Sequence, residues 1–224
     1  NTGDDADTVN VGSLAPATGG NVNGIAALLT INGDGEADSL NVDDTGDTAG
    51  NTGNLTATSI TGLGMTGKIV YGTVESLTIG LGGGDNTFTV ESTHAGTTEL
   101  NTNTGNDTVT LETISGNTTV NTAVGSDTVN IRTIDAATTV NTGADTDTVN
   151  VGSLAPATGG DVNGIGAVLT VNGDGEADSL NVDDTADTDG NTGNLTATDI
   201  TGLGMTGKIV YGTVESLTIG LGSG

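Results

Sequence analysis

The chain has 224 residues and a net charge of −26, with 29 acidic residues against three basic ones, no Cys, no Trp, one Phe and two Tyr. A surface that acidic argues against nucleic-acid binding and against docking to an anionic membrane, both of which need a basic footprint. Gly (39) and Thr (44) dominate, which leaves too few large side chains for an ordinary globular core. High acidity with few aromatics can mark disorder, but here Val, Ile and Leu recur at fixed positions beside Thr, as they do in strands. No apolar run reaches membrane-spanning length, no signal peptide is visible, and membrane insertion is not expected.

The chain opens on an acidic turn followed by an alternating strand, Asn1-Thr-Gly-Asp-Asp-Ala-Asp7-Thr-Val-Asn10. The pattern returns at Asn32, 31 residues on, with the surplus placed in an insertion at Ala15–Ala27. It returns again at Gly80 after 48 residues, an interval that predicts two coils, the hidden one supplied by Leu55-Thr-Ala, Lys68-Ile-Val-Tyr71 and Val74-Glu-Ser-Leu77. Gly62-Leu-Gly-Met-Thr-Gly67 lacks the G-K-[ST] ending of a phosphate loop and reads as a turn. From Gly80 the turns follow at Asn101, Asn121 and Asn141, at steps of 21, 20 and 20. His94 falls where one coil has an extra residue and is expected on an exposed bulge.

Residues 1–84 then align without a gap on residues 141–224, with 74 of 84 positions identical. The chain is therefore read as one full 140-residue unit, 1–140, and a partial second copy, 141–224, continuous and without a linker. Neither end shows the distinct polar cap of a free-standing solenoid, which predicts a window from a longer tandem array. Thr108-Val-Thr-Leu and Thr128-Val-Asn-Ile alternate with period two, the mark of a strand with one buried face. Val109, Leu111, Ile114 and Val120 point inward, with Val129, Ile131, Ile134 and Val140 stacked on them one coil later. The expected fold is all-β, a right-handed parallel β-helix with coils of about 20 residues and about six coils per unit. Asn101, Asn121 and Asn141 form one column, expected to be an Asn ladder.

In register, Asp107, Asp127 and Asp147 form an acidic column, and Asp7 and Asp38 hold the same place in their own coils. Carboxylates about 5 Å apart repel by roughly 3 kcal/mol at an effective dielectric of 20. Two arrangements offset that cost. The Asp side chains cap turn N–H groups, or a hard cation sits between coils. The densest acidic stretch is Asp34, Glu36, Asp38, Asp43, Asp44 and Asp47, copied at Asp174, Glu176, Asp178, Asp183, Asp184 and Asp187; it reads as a solvated loop or a short calcium loop. Lys68, Lys208 and the lone Arg132 and His94 make no catalytic set, and near-identical units argue for architecture, so no enzyme activity is expected. Tyr71, Tyr211 and Phe88 read as stacked aromatics or, alternatively, a carbohydrate platform.

Gly105-Asn-Asp107-Thr-Val109 and Gly125-Ser-Asp127-Thr-Val129 resemble the second half of the calcium-binding RTX nonapeptide. The leading Gly pair is replaced by Thr102-Asn103 and Thr122-Ala123, and the motif occurs once per coil. That resemblance implies calcium as cofactor, with Asp107 and Asp127 as ligands; the column adds Asp7, Asp38 and Asp147 as candidate ligands, and the short calcium loop adds Asp34 and Glu36 with the copied Asp174, Glu176 and Asp178. More broadly, LTINGDGEADSLNV and TTVNTGADTDTVNV resemble the repeat arrays of very large bacterial secreted or cell-surface proteins. This implies an extracellular structural segment of a filament or surface stalk, stiffened by calcium and partnered by adjacent copies of the repeat. The alternatives are a calcium-dependent adhesin or carbohydrate-binding module of RTX type, and a glycan-decorated fibre, for which Asn54, Asn106, Asn117 and Asn194 fit the N-x-[ST] sequon.

Overall fold

The computed structural model describes residues 2–224, which hold twenty short strands and no helix. In chain order they are β1 (Thr8–Val11), β2 (Leu28–Asn32), β3 (Ser39–Asp43), β4 (Thr52–Thr56), β5 (Ser59–Gly62), β6 (Lys68–Gly72), β7 (Ser76–Gly80), β8 (Thr87–Val90), β9 (Thr97–Asn101) and β10 (Thr108–Leu111). There follow β11 (Thr118–Asn121), β12 (Thr128–Ile131), β13 (Thr138–Asn141), β14 (Thr148–Val151), β15 (Val168–Asn172), β16 (Ser179–Asp183), β17 (Gly193–Leu195), β18 (Asp199–Gly202), β19 (Lys208–Gly212) and β20 (Ser216–Gly220).

They form two ten-stranded sheets. The first runs β1-β3-β7-β9-β11-β13-β15-β19-β18-β17 and the second β2-β6-β5-β4-β8-β10-β12-β14-β16-β20. Two hairpins aside, consecutive strands enter opposite sheets, and each lies parallel beside a strand from the previous circuit. The register is the one the 20-residue spacing demands: Val109 pairs with Val129, Leu111 with Ile131 and Val120 with Val140. Ile114 bridges Ile134 in the connecting turn. These eight side chains are fully buried. Alternation thus puts every second residue between the sheets, and identical registers stack like on like, so small β-branched side chains fill the interior.

The interval from Asn32 to Gly80 departs from the expected two coils. β4, β5 and β6 all lie in the second sheet, joined antiparallel. The chain enters that sheet beside β8, doubles back, and returns beside β2 before crossing to β7. Gly62, Leu63 and Gly64, with φ of 80°, 54° and 72°, reverse its direction between β5 and β6. Three successive left-handed residues end a strand, and two of the three are glycines, which adopt that conformation without steric cost. Leu55, Ile60 and Ile69 meet on the inner face with no exposure.

The interval therefore holds one and a half circuits, and the 140-residue unit eleven crossings, or five and a half circuits, instead of about six. An odd number of crossings sends each copied strand to the opposite sheet. β1 lies in the first sheet and its copy β14 in the second, and the hairpin β4–β5 belongs to the second sheet while its copy β17–β18 belongs to the first.

Candidate functional site: the acidic ladders

Connections from the first sheet to the second run along one edge, here edge I, and return connections along edge II. On edge I the strand-opening residue of each turn accepts a hydrogen bond from its counterpart one circuit earlier. The Asn51 N–H donates to Asn86 Oδ1 at 2.9 Å, and the Asn86 N–H to Asp107 Oδ1 at 2.7 Å. The Asp107 N–H donates to Asp127 and the Asp127 N–H to Asp147, both at 2.7 Å. The Asp147 N–H donates to Asp178 at 2.9 Å and the Asp178 N–H to Glu215 at 2.8 Å. One side-chain oxygen per turn is thus spent on capping a backbone donor that the strand ladder does not reach.

Asp7 and Asp38 stand elsewhere. The Asp7 N–H donates to Asp38 at 2.9 Å and the Asp38 N–H to Glu75 at 2.8 Å, in a second ladder on edge II. The single column expected from spacing is two columns, because the interval between Asn32 and Gly80 contains an odd number of crossings. Both glutamates were missed as ladder members. The signal was present: Glu75-Ser-Leu and Glu215-Ser-Leu repeat the acid-Ser-Leu of Asp38 and Asp178.

The second carboxylate oxygen divides these acids into two kinds. Asp38 Oδ2 accepts the Asp34 N–H at 2.9 Å and Asp178 Oδ2 the Asp174 N–H at 3.1 Å, so both oxygens are used. The side chains of Asp34, Glu36, Asp174 and Glu176 are exposed. The expected calcium loop is therefore held from within by one aspartate accepting two backbone N–H groups. Asp107, Asp127 and Asp147 differ. Each is at most 2% exposed, and each Oδ2 is buried with no hydrogen-bond partner. The Thr122 hydroxyl lies close enough to Asp127 to lower its pKa, yet its one proton goes to the Thr142 carbonyl at 2.6 Å. The same hydroxyl-to-carbonyl bond joins Thr102 to Thr122 at 3.1 Å.

Burial, opposed by these hydrogen bonds and reinforced by the flanking aspartates, pushes Asp127 up to about 7 and Asp147 up to about 6; burial also raises Asp107. A proton on Oδ2 would leave Oδ1 to cap the N–H of the neighbouring turn and remove the charge that burial disfavours.

A second acidic group secures the insertion between β1 and β2. The Gly20 N–H donates to Asp43 at 2.8 Å, the Val22 N–H to Asp44 at 3.0 Å, and Asn23 Nδ2 to Asp47 at 2.9 Å. The copied insertion is held likewise by Asp183 and Asp184.

The donor set does not fit calcium, which takes six to eight oxygens. Among the described residues no three acids or histidines converge, and each column acid has one oxygen already committed to an N–H. The Asn column is as expected: Asn121 donates to Asn101 and Asn141 to Asn121, both at 2.7 Å, and Asn172 to Asn141 at 2.8 Å. A parallel ladder runs through Asn130, Asn150 and Asn181 on the second sheet.

His94 is not on an exposed bulge. It is half-buried, edge-on to Tyr71 with ring centroids 5.9 Å apart, and burial holds its pKa below the ordinary value. Tyr71 and Phe88 are buried, which removes them as a carbohydrate platform. Arg132 pairs with Glu112 at 2.7 Å and donates to the Ala155 carbonyl.

No family model matches the chain, and no curated protein or solved structure matches it.

Proposed function

We propose that the chain is a structural segment, a right-handed parallel β-solenoid that forms part of an extracellular bacterial filament or surface stalk. The handedness follows the near-universal rule for parallel crossovers. The observation that carries the reading is the run of inter-circuit ladders. Acid-to-N–H, Thr-to-carbonyl and Asn-to-Asn bonds each join one circuit to the next along the stacking axis. Polar side chains that a binding protein would point at a ligand are spent here on the neighbouring turn. Secretion and adjacent copies as partners are supported by the likeness of the repeats to surface-protein arrays. Calcium has no part in this reading, because the acids are capped by N–H groups.

Thirteen strands shared between two sheets make six and a half layers per 140 residues, or about 31 Å at ~4.8 Å per layer. Tandem chains of two, three and four units, imaged by negative-stain electron microscopy, are expected as rods that lengthen by that step. Compact particles of constant width and length would refute the proposal. A chelator is expected to leave the melting temperature unchanged; a sharp fall would restore the calcium reading.

A further inference from the structure

The insertion between β1 and β2 walls off part of the outer face of the first sheet. Residues 15–18 form one side of a cavity of about 490 Å³ whose floor includes Asn41, Thr78, Asn101 and Asn103. The wall is fixed in advance, since the Gly19 N–H donates to Thr45 Oγ1 at 3.0 Å and the Gly20 N–H to Asp43. The floor dips at Gly80, which stands in register between Asp43 and Asn101. An Asn there would prolong the Asn ladder, but a Cβ on Gly80 would meet Thr45 Cγ2 at 2.7 Å. β3, β7 and β9, which carry this floor, are each paired on both sides.

A second cavity, of about 300 Å³, continues along the same face past Ser76, Glu99, Asn117, Thr119 and Thr139. Thr78 lines both cavities, so they form one trough from β3 to β13, four layers or about 19 Å at ~4.8 Å per layer. Along it Thr78, Glu99, Thr119 and Thr139 stand in one register. Among the described residues, the hydroxyls of Ser76, Thr78, Thr119 and Thr139 and the amide of Asn117 have no hydrogen-bond partner. Asn41 donates to Asn10 at 2.9 Å and keeps its Oδ1 free. The two carboxylates that line the trough are engaged. Asp43 holds Thr45 and Gly20, and Glu99 accepts from Asn101 Nδ2 at 3.2 Å and Asn121 Nδ2 at 3.4 Å. Ala15, Pro16 and Ala17 add an exposed apolar strip.

We infer that this trough binds a neutral, linear oligosaccharide. A sugar ring has an apolar C–H face and a rim of hydroxyls that both donate and accept. Those features match an Ala-Pro-Ala strip beside free hydroxyls and amides, in a cleft whose volume is that of a ligand site. Hydroxyls repeated layer by layer suit a polymer lying along the stacking axis. A chain of charge −26 repels phosphorylated and uronic-acid ligands. The engaged carboxylates disfavour a cationic one. The pinned wall spares the ligand the cost of ordering a loop. The inference adds a ligand to the structural reading and does not depend on it.

The test is isothermal titration calorimetry of the 224-residue chain with cellohexaose, mannohexaose and xylohexaose. Hexagalacturonate serves as the acidic control and hexaglucosamine as the cationic one. Saturable binding of at least one neutral hexasaccharide is expected, and weaker binding of its disaccharide, which does not reach both cavities. Thr78→Val, at the junction, is expected to weaken binding about tenfold through one lost hydrogen bond, and Thr119→Val likewise. Thr89→Val, on the outer face of the other sheet, is expected to leave it unchanged. Melting temperatures establish that each variant is folded, and either trough variant alone decides the point. No saturation by any neutral hexasaccharide up to about 10 mM overturns the inference. So does binding that both trough variants retain, that a disaccharide equals, or that a charged control matches. Rods that lengthen in the microscope without sugar binding would sink this inference alone; binding without rods would sink only the stalk.

Discussion

Replacing Asp127 by Asn tests whether the edge I column carries protons. Asp127 is 2% exposed, its Oδ1 accepts the Asp107 N–H at 2.7 Å, and its Oδ2 has no partner. Its pKa stands at about 7, against an unfolded-state value near 3.9. Because the folded value is the higher one, the unfolded chain loses its proton first as pH rises. Stability is therefore fully present below about pH 4, falls by about 1.4 kcal/mol per unit up to about pH 7, and is level above that. The whole span is about 4 kcal/mol as an upper bound, and on the order of 2 kcal/mol if the turn relaxes around the charge.

Asn keeps the Oδ1 acceptor, offers an N–H to the Thr122 hydroxyl, and does not ionise. The variant is thus expected to be more stable than the parent by about 2–4 kcal/mol at pH 8, and close to it at pH 4. Chemical denaturation followed by circular dichroism at the two pH values, with parent and variant side by side, removes the general pH dependence of a chain of charge −26. A variant destabilised at pH 8 would refute the reasoning, since it would mean that the ionised Asp127 carboxylate is stabilised and not penalised in its buried place.

Two further substitutions probe the turns and the outer ladder. Gly125 has a φ of +133°, and a Cβ there would stand 1.9 Å from the Gly105 carbonyl oxygen. Gly125→Ala is expected to cost about 3 kcal/mol or more by thermal melt, while Gly35→Ala, with open space around it, stays within about 0.5 kcal/mol; equal effects would refute the stacking of these turns. Asn121→Ala removes the bond to Asn101 and the bond from Asn141, for an expected loss of about 1–2 kcal/mol; an unchanged melting temperature would show the Asn ladder to be inert.

The inner face was legible in the sequence because strands have period two and the coils repeat at 20 residues, so Val109 over Val129 is dictated twice. The Asn ladder was legible for the same reason. The hairpin was not. Leu55, Ile60 and Ile69 alternate like any other strand residues, and periodicity does not tell a strand that crosses to the other sheet from one that doubles back in the same sheet. Missing it turned three crossings into four and merged the two acidic columns into one. The role of the acids was half legible. The spacing placed Asp107, Asp127 and Asp147 in line, but whether an oxygen meets a cation, a proton or an N–H depends on backbone direction in the turn, which composition does not encode. His94 was misplaced because its partner Tyr71 comes from the hairpin segment.

The doubling-back also bears on shape. Each hairpin adds two strands, about 10 Å of extra height, to one sheet and none to the other. Placed on the same side in every unit, these wedges would bend the stack steadily into an arc. The odd number of crossings sends the second wedge to the opposite side, and the two sheets finish with ten strands each. Straightness is then a matter of parity. A tandem chain whose units each lost a single crossing would carry all its wedges on one side and curl.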